Sequence, residues 1–153
     1  MLRLSREADY GLLAMMYISA RPEGMLAYRR DIAAHYNIPA DFLAKVLQKL
    51  SRHGLIKSFR GTQGGYLLAR DAEAISLADL VEAVDGPMSI VDCQREGCAC
   101  PQEEGCTVQT TLIEVQREIR MVLARVSLDD MRSRLRRDHE PRLIALEAAR
   151  AHR

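Results

Sequence analysis

Apolar positions in the first half of the chain recur at helical spacing, in short packets separated by breakers. Tyr10, Leu13, Ala14, Tyr17 and Ile18 share one face behind Ser5, which suits an N-cap, with Glu7 and Asp9 in the first turn. This predicts a helix running to about Ala20, where Arg21-Pro22-Glu23-Gly24 breaks it. Ile32, Ala33 and Tyr36 then mark a short helix, and Phe42, Leu43, Val46, Leu47 and Leu50 mark a longer, strongly amphipathic one. Asn37-Ile38-Pro39 turns the corner between them, because proline disfavours helix in the residue before it and suits a helix start. Two helices with one apolar face each, joined by so tight a turn, must pack on each other.

Gly54 supplies the left-handed residue that ends the longer helix. Two apolar-rich runs, Leu55 to Phe59 and Tyr66 to Ala69, flank Arg60-Gly61-Thr62-Gln63-Gly64-Gly65 and predict a hairpin. The order is helix, turn, helix, wing. Asp41, Ala44, Lys45, Gln48 and Lys49 fall on the face of the longer helix away from its apolar stripe, where a helix in a major groove presents donors and short side chains. Arg60 stands at the hairpin tip among small residues, as minor-groove entry requires. The candidate DNA contacts are Ser5, Asp41, Ala44, Lys45, Gln48, Arg60, Thr62 and Gln63.

Beyond the wing, Ser76 caps a helix carrying Leu77, Leu80, Val81 and Val84, which Asp85-Gly86-Pro87 stops. Met88 to Gly105 has no sustained apolar period, so it reads as a loop long enough to need a purpose or a ligand. Val108, Leu112, Val115, Ile119, Val122 and Val126 then repeat at alternating steps of four and three. No second stripe of comparable length exists to cover this seam, so pairing of two copies about a two-fold axis is the economical solution. A further helix, Leu128 to Leu135, starts near Ser127 and packs back on the winged domain. From Arg136 the chain is charged, carries Pro141, and is expected to fray.

Charge sharpens this picture. The net charge is only +1, but residues 1–70 carry 11 Lys and Arg against 5 Asp and Glu, while residues 71–153 carry 11 against 16. The basic half is the half with the helix-turn-helix pattern, as attraction to phosphate demands. No run of about 18 apolar residues exists to span a membrane. Tyr10 to Ala20 resembles a signal core only superficially, with Glu7 and Asp9 directly before it, so the expectation is a cytoplasmic protein. No acid/base constellation, phosphate loop or cofactor fingerprint points to an enzyme.

Cys93-x4-Cys98-x-Cys100-x5-Cys106 sets four thiols within 14 residues. In a reducing compartment this density suggests a metal or redox site, since the thiolate is a soft, strong donor. Zinc sites usually carry Cys-x2-Cys knuckles, and none is present, so the spacing leans toward an iron-sulfur cluster; zinc and spare thiols are the alternatives.

The chain resembles the Rrf-type family of winged-helix transcription regulators, the IscR, NsrR and CymR group. The resemblance covers about residues 1–135. It rests on Leu-Arg-Leu-Ser near the start, on Leu-Ser-Arg-His-Gly-Leu-Ile-Lys-Ser-Phe-Arg-Gly-Thr-Gln-Gly-Gly-Tyr-Leu-Leu-Ala through the wing, on Val-Glu-Ala-Val-Asp-Gly-Pro, and on the cysteine loop. It implies a homodimer on a palindromic operator in double-stranded DNA, with residues matching Asp41, Ala44 and Lys45 near bases and Arg60 in the minor groove. Ala44 stands where IscR has an acidic base-reading residue, so the operator need not be the IscR one.

The resemblance also implies a cluster, 2Fe-2S or 4Fe-4S, on three loop cysteines plus a His in IscR-like members or an Asp from the partner's first helix in NsrR-like members. Gln109 occupies the IscR His position, three residues after Cys106, whereas Asp9 matches the NsrR acid; ligation by Cys93, Cys98, Cys100 and Cys106 together is the other option. The expected fold is mainly α with a small β-wing: a winged helix-turn-helix domain over 1–86, a cysteine-rich cluster-binding loop over 87–106, a dimerisation helix and C-terminal helix over 107–137, and a charged, flexible tail over 138–153. The expected function is a repressor whose DNA affinity follows iron-sulfur status, redox state or nitric oxide. The alternative is a cluster-free or zinc-stabilised regulator of the same fold, controlled by a partner protein or small molecule.

Overall fold

The computed structural model describes residues 3–61, 64–91 and 105–134. Helices α1 (Arg6–Ser19), α2 (Arg29–Tyr36) and α3 (Ala40–Arg52) precede strands β1 (Ile56–Ser58) and β2 (Tyr66–Leu68). A 3-10 turn, Ala72–Ala74, leads to α4 (Leu77–Asp85) and α5 (Gln109–Ala124), and residues 128–134 form α6.

Each boundary has a local cause. Ser5 Oγ accepts from the Ala8 N–H at 3.0 Å to start α1. Asn37 ends α2 in the left-handed region (φ 52°), so the corner begins ahead of the proline, and Pro39 becomes the N-cap of α3. Gly54 (φ 67°) follows the last turn of α3. Ser76 and Asp79 exchange backbone bonds of 3.1 and 3.0 Å, a capping box for α4. Ser127 and Asp130 repeat the device at the start of α6, with bonds of 3.0 and 2.9 Å.

One core unites these elements. Met15 of α1, Ile32 of α2, Leu43, Val46, Leu47 and Leu50 of α3, Leu55, Ile56, Ile75 and Leu80 are fully buried together. Leu128 of α6 belongs to the same core, with Met131 packed against it. The fold-back of α6 on the winged domain is therefore as the sequence suggests.

The hairpin pairs Ile56 with Leu68 and Ser58 with Tyr66, antiparallel. Its second strand is tied on the other side to the chain before α2: Ala27 N–H donates to Tyr66 O at 3.0 Å, and Tyr66 N–H to Ala27 O at 2.9 Å. Gly65 is needed there, because a Cβ on it would stand 2.9 Å from Ala27 O. At Gly64 a Cβ would run into Phe59 O.

The heptad stripe is divided by the structure. Leu112 and Ile119 are half-buried, whereas Val108, Val115 and Val122 form an exposed edge. Val108 is the N-cap residue of α5 and Val126 lies past its end, so the helix is shorter than the repeat. Val126 O instead accepts from the Leu77 N–H at 2.8 Å, docking that connection on the start of α4. Glu82 and Arg120 make a two-pronged contact of 2.6 and 3.0 Å between α4 and α5. That hydrogen bond, and then the carboxylate charge, hold the Arg120 guanidinium above its ordinary pKa.

Candidate nucleic-acid interface

The four apolar residues that bury one side of α3 leave Asp41, Lys45 and Gln48 exposed on the other, with Ala44 half-buried between. Phe42 is half-buried and meets Tyr10 edge-on, ring centres 5.4 Å apart, which holds the start of α3 against α1. Pro39 provides no side-chain cap, and Asp41 lies in the first turn. The exposed end of α3 thus combines free backbone N–H groups with short and polar side chains.

Lys49 departs from the expected open face. Its Nζ donates to Glu7 Oε2 of α1 and, at 2.8 Å, to the carbonyl of Val84 in the last turn of α4. It is a tie among three helices, because its long stem reaches around the edge of the stripe. Ser5 is likewise engaged: its hydroxyl caps α1 and donates to Asp85 Oδ1, while its N–H meets Asp85 Oδ2 at 3.3 Å. Both residues join α1 to the end of α4.

Arg60 is exposed at the wing, between Phe59 and Gly61 (φ 111°). Thr62 and Gln63 lie outside the described residues. An open cleft of about 660 Å³ separates the wing from the start of α2, lined by Tyr28, Arg29, Arg30, Phe59, Arg60 and Tyr66 over glycine backbone. The linear pattern gives no hint of Arg29 and Arg30, which reach Arg60's neighbourhood only through the Ala27–Tyr66 pairing.

At the cysteine segment the described residues are its flanks. Cys106 is a half-buried free thiol just before α5. On the other flank, the Ile90 N–H donates to Gln116 Oε1 of α5 at 3.0 Å. Cys93, Cys98 and Cys100 lie outside the described residues. Among the described residues no group of three or more His, Cys, Asp or Glu is placed to hold a metal. Asp9 is exposed on the first turn of α1, with no side-chain partner among the described residues.

The fold and its polar face define a winged helix-turn-helix protein of the regulator class. The Rrf2 family profile, described as an iron-dependent transcriptional regulator, matches residues 4–134. The chain belongs to the Rrf2 family. The profile's description and the names of the curated relatives are those of transcriptional regulators. A protein named as a helix-turn-helix-type transcriptional regulator of Mycobacterium tuberculosis is 38% identical over 90 residues, covering 59% of this chain and 56% of that relative. The chain therefore aligns with little more than half the length of that curated relative.

Among solved structures, CymR, the global cysteine regulator of B. subtilis, is similar at 27% identity and a TM-score of 0.68, covering 87% of this chain and 98% of that one. T. potens IscR is similar at 25% identity and a TM-score of 0.68, covering 88% of each chain. No helix among the described residues is long and apolar enough to cross a membrane.

Proposed function

We propose that the protein is a homodimeric DNA-binding repressor whose affinity is controlled by an iron-sulfur cluster held in the Cys93 to Cys106 segment. The observation that carries this reading is the position of that segment's flanks: the Ile90 N–H donates to Gln116 of α5, and Cys106 is a half-buried thiol three residues before the same helix, which exposes Val115 and Val122 and is capped by the exposed Val108. A group bound there would lie next to a two-fold seam, and a seam sets the spacing between two copies of α3. The other end of the segment leaves α4 at Gly86, and α4 is tied to α3 through Lys49. A change in the segment therefore has two routes to the reading heads.

The donor set fits the group. Cys93, Cys98, Cys100 and Cys106 supply soft thiolates, and Asp9 is an exposed carboxylate available to a partner subunit. A bound cluster would supply redox and ligand-exchange chemistry that iron status, oxidants or nitric oxide can alter. The remaining work belongs to the chain: Asp41, Ala44, Lys45 and Gln48 face the major groove, Arg60 enters the minor groove, and Thr62 and Gln63 are further candidate contacts. A cytoplasmic setting is part of the proposal, since thiolates there stay reduced.

Anaerobic purification followed by visible absorption, iron and sulfide assays tests the cluster. Coloured protein with iron and sulfide, both absent from Cys106→Ala, supports it; colourless protein with one zinc per chain refutes it. The likeness to CymR favours a second reading, a cluster-free or zinc-stabilised regulator answering to a partner protein or small molecule. That reading predicts DNA affinity indifferent to oxygen and to Cys93→Ala.

A further inference from the structure

We propose that Glu82 is a positioning residue for half-site spacing: its carboxylate latches the α5 arm to α4, and basic groups in the cleft beside it hold that carboxylate when the arm swings away. The proposal rests on the dimeric DNA-binding reading above and names the contact that sets the distance between two copies of α3.

The arm is pinned at one end and lightly held along its length. Val126 O accepts from the Leu77 N–H and the Leu128 N–H donates to Ile75 O, both at 2.8 Å, so the foot of α5 is fixed through backbone. Above that foot α5 has no fully buried residue, and no apolar side chain of α5 is packed against the core. Among the described residues two side-chain contacts join the helix to the rest of the chain. Glu82 of α4 meets Arg120 at 2.6 and 3.0 Å, and Gln116 accepts from the Ile90 N–H at 3.0 Å. Ile90 belongs to the segment that leads to Cys93, so Glu82 is the tie to α4 itself. Arg120 stands about 9 Å along the helix from Val126, and Val108 about 27 Å. A tilt about the foot is therefore magnified roughly threefold between the latch and the far end of the seam.

Glu82 also faces other partners. It lines an open cleft of about 680 Å³ with Arg52 and His53 from the end of α3 and Arg70 from beyond β2. The cleft's remaining charged groups are engaged: Asp79 caps α4, Asp85 accepts from Ser5, and Lys49 holds Glu7 and the Val84 carbonyl. The Glu82 carboxylate thus stands between one basic group on the arm and three on the winged domain. The Glu82 and Arg120 side chains are 24% and 52% exposed, so solvent weakens their pair and the two arrangements lie close in free energy. A change at the seam or in the cysteine segment can tip so near a balance.

The test uses the full-length dimer and duplexes carrying an operator selected by the wild-type protein, with the half-sites moved together or apart by one base pair. One base pair turns one half-site by about 35° relative to the other, so each step should cost the wild type roughly tenfold in affinity. In Glu82→Gln the arm is no longer latched, and the spread across the duplexes should shrink to about threefold or less. Glu82→Arg/Arg120→Glu rebuilds the pair with its charges exchanged and sets an arginine against Arg52 and Arg70, which disfavours the swing, so it should restore the full spread. Arg52→Ala/Arg70→Ala removes the competing partners and should widen the spread beyond the wild type's. Ratios among duplexes are compared within each variant, so a uniform loss of affinity does not obscure them.

An unchanged spread in Glu82→Gln overturns the proposal, as does failure of the exchanged pair to restore it. A spread in Arg52→Ala/Arg70→Ala no wider than the wild type's also overturns it. Wild-type protein that binds no duplex, or binds as a monomer, removes the dimeric DNA-binding reading and this proposal together. A wild-type dimer that prefers one spacing, with Glu82→Gln preferring it equally, removes this proposal alone.

Discussion

Replacing Lys49 with Met separates two roles that look alike in the sequence, a groove-facing lysine and a structural tie. Met keeps the aliphatic stem and removes the Nζ that bonds Glu7 Oε2 and Val84 O. A hydrogen bond to a charged group contributes about 1.5–3 kcal/mol, but here the lysine side chain is 41% and the glutamate 31% exposed, so solvent screens the pair. The ion-pair share is then about 0.5 kcal/mol, and the carbonyl bond adds roughly 1 kcal/mol, for a total of about 1–2 kcal/mol. At this chain length each kcal/mol lowers Tm by roughly 2–4 °C, so thermal unfolding followed by circular dichroism should show a drop of about 2–8 °C. DNA affinity measured well below that Tm should change less than about threefold, whereas Lys45→Ala should cost roughly tenfold. An unmoved Tm together with a large drop in affinity in Lys49→Met would refute the structural role.

Three other variants probe separate joints. Val115→Asp, on the exposed edge of α5, should convert a dimer to a monomer in sedimentation velocity while changing the protomer's own stability by no more than about 0.5 kcal/mol. Leu128→Ala empties a fully buried site where α6 meets the core and should lower the urea midpoint by an amount equivalent to about 2–4 kcal/mol, at constant m-value. Gly65→Ala forces a Cβ to 2.9 Å from Ala27 O, so it should cost about 1–3 kcal/mol, read as a lowered urea midpoint.

The elements were largely legible because their signals are local. Ser5 and Ser76 cap where their sequence context indicates, Gly54 ends α3, and the stripe Leu43, Val46, Leu47, Leu50 is buried as its spacing requires. What escaped reading depends on contacts distant in sequence. Lys49 falls on the polar side of a helical wheel, yet Glu7 and Val84 draw it to the edge. The periodicity counts Val126 in the seam, but its carbonyl is taken by Leu77 on α4. Arg29 and Arg30 look like ordinary first-turn charges until the Ala27–Tyr66 pairing sets them beside the wing. The cysteine spacing announces soft-metal chemistry, while the bond from Ile90 to Gln116, which seats the segment on α5, has no signature in the linear pattern.

Control of DNA affinity by a sulfur-held iron centre is tested by selecting an operator from a random duplex pool with anaerobically purified dimer, then measuring affinity for that operator before and after the centre is removed from the same preparation. The two forms should differ at least tenfold, and Cys106→Ala should abolish the difference. Equal affinity of the two forms, with the dimer intact in both, would contradict it.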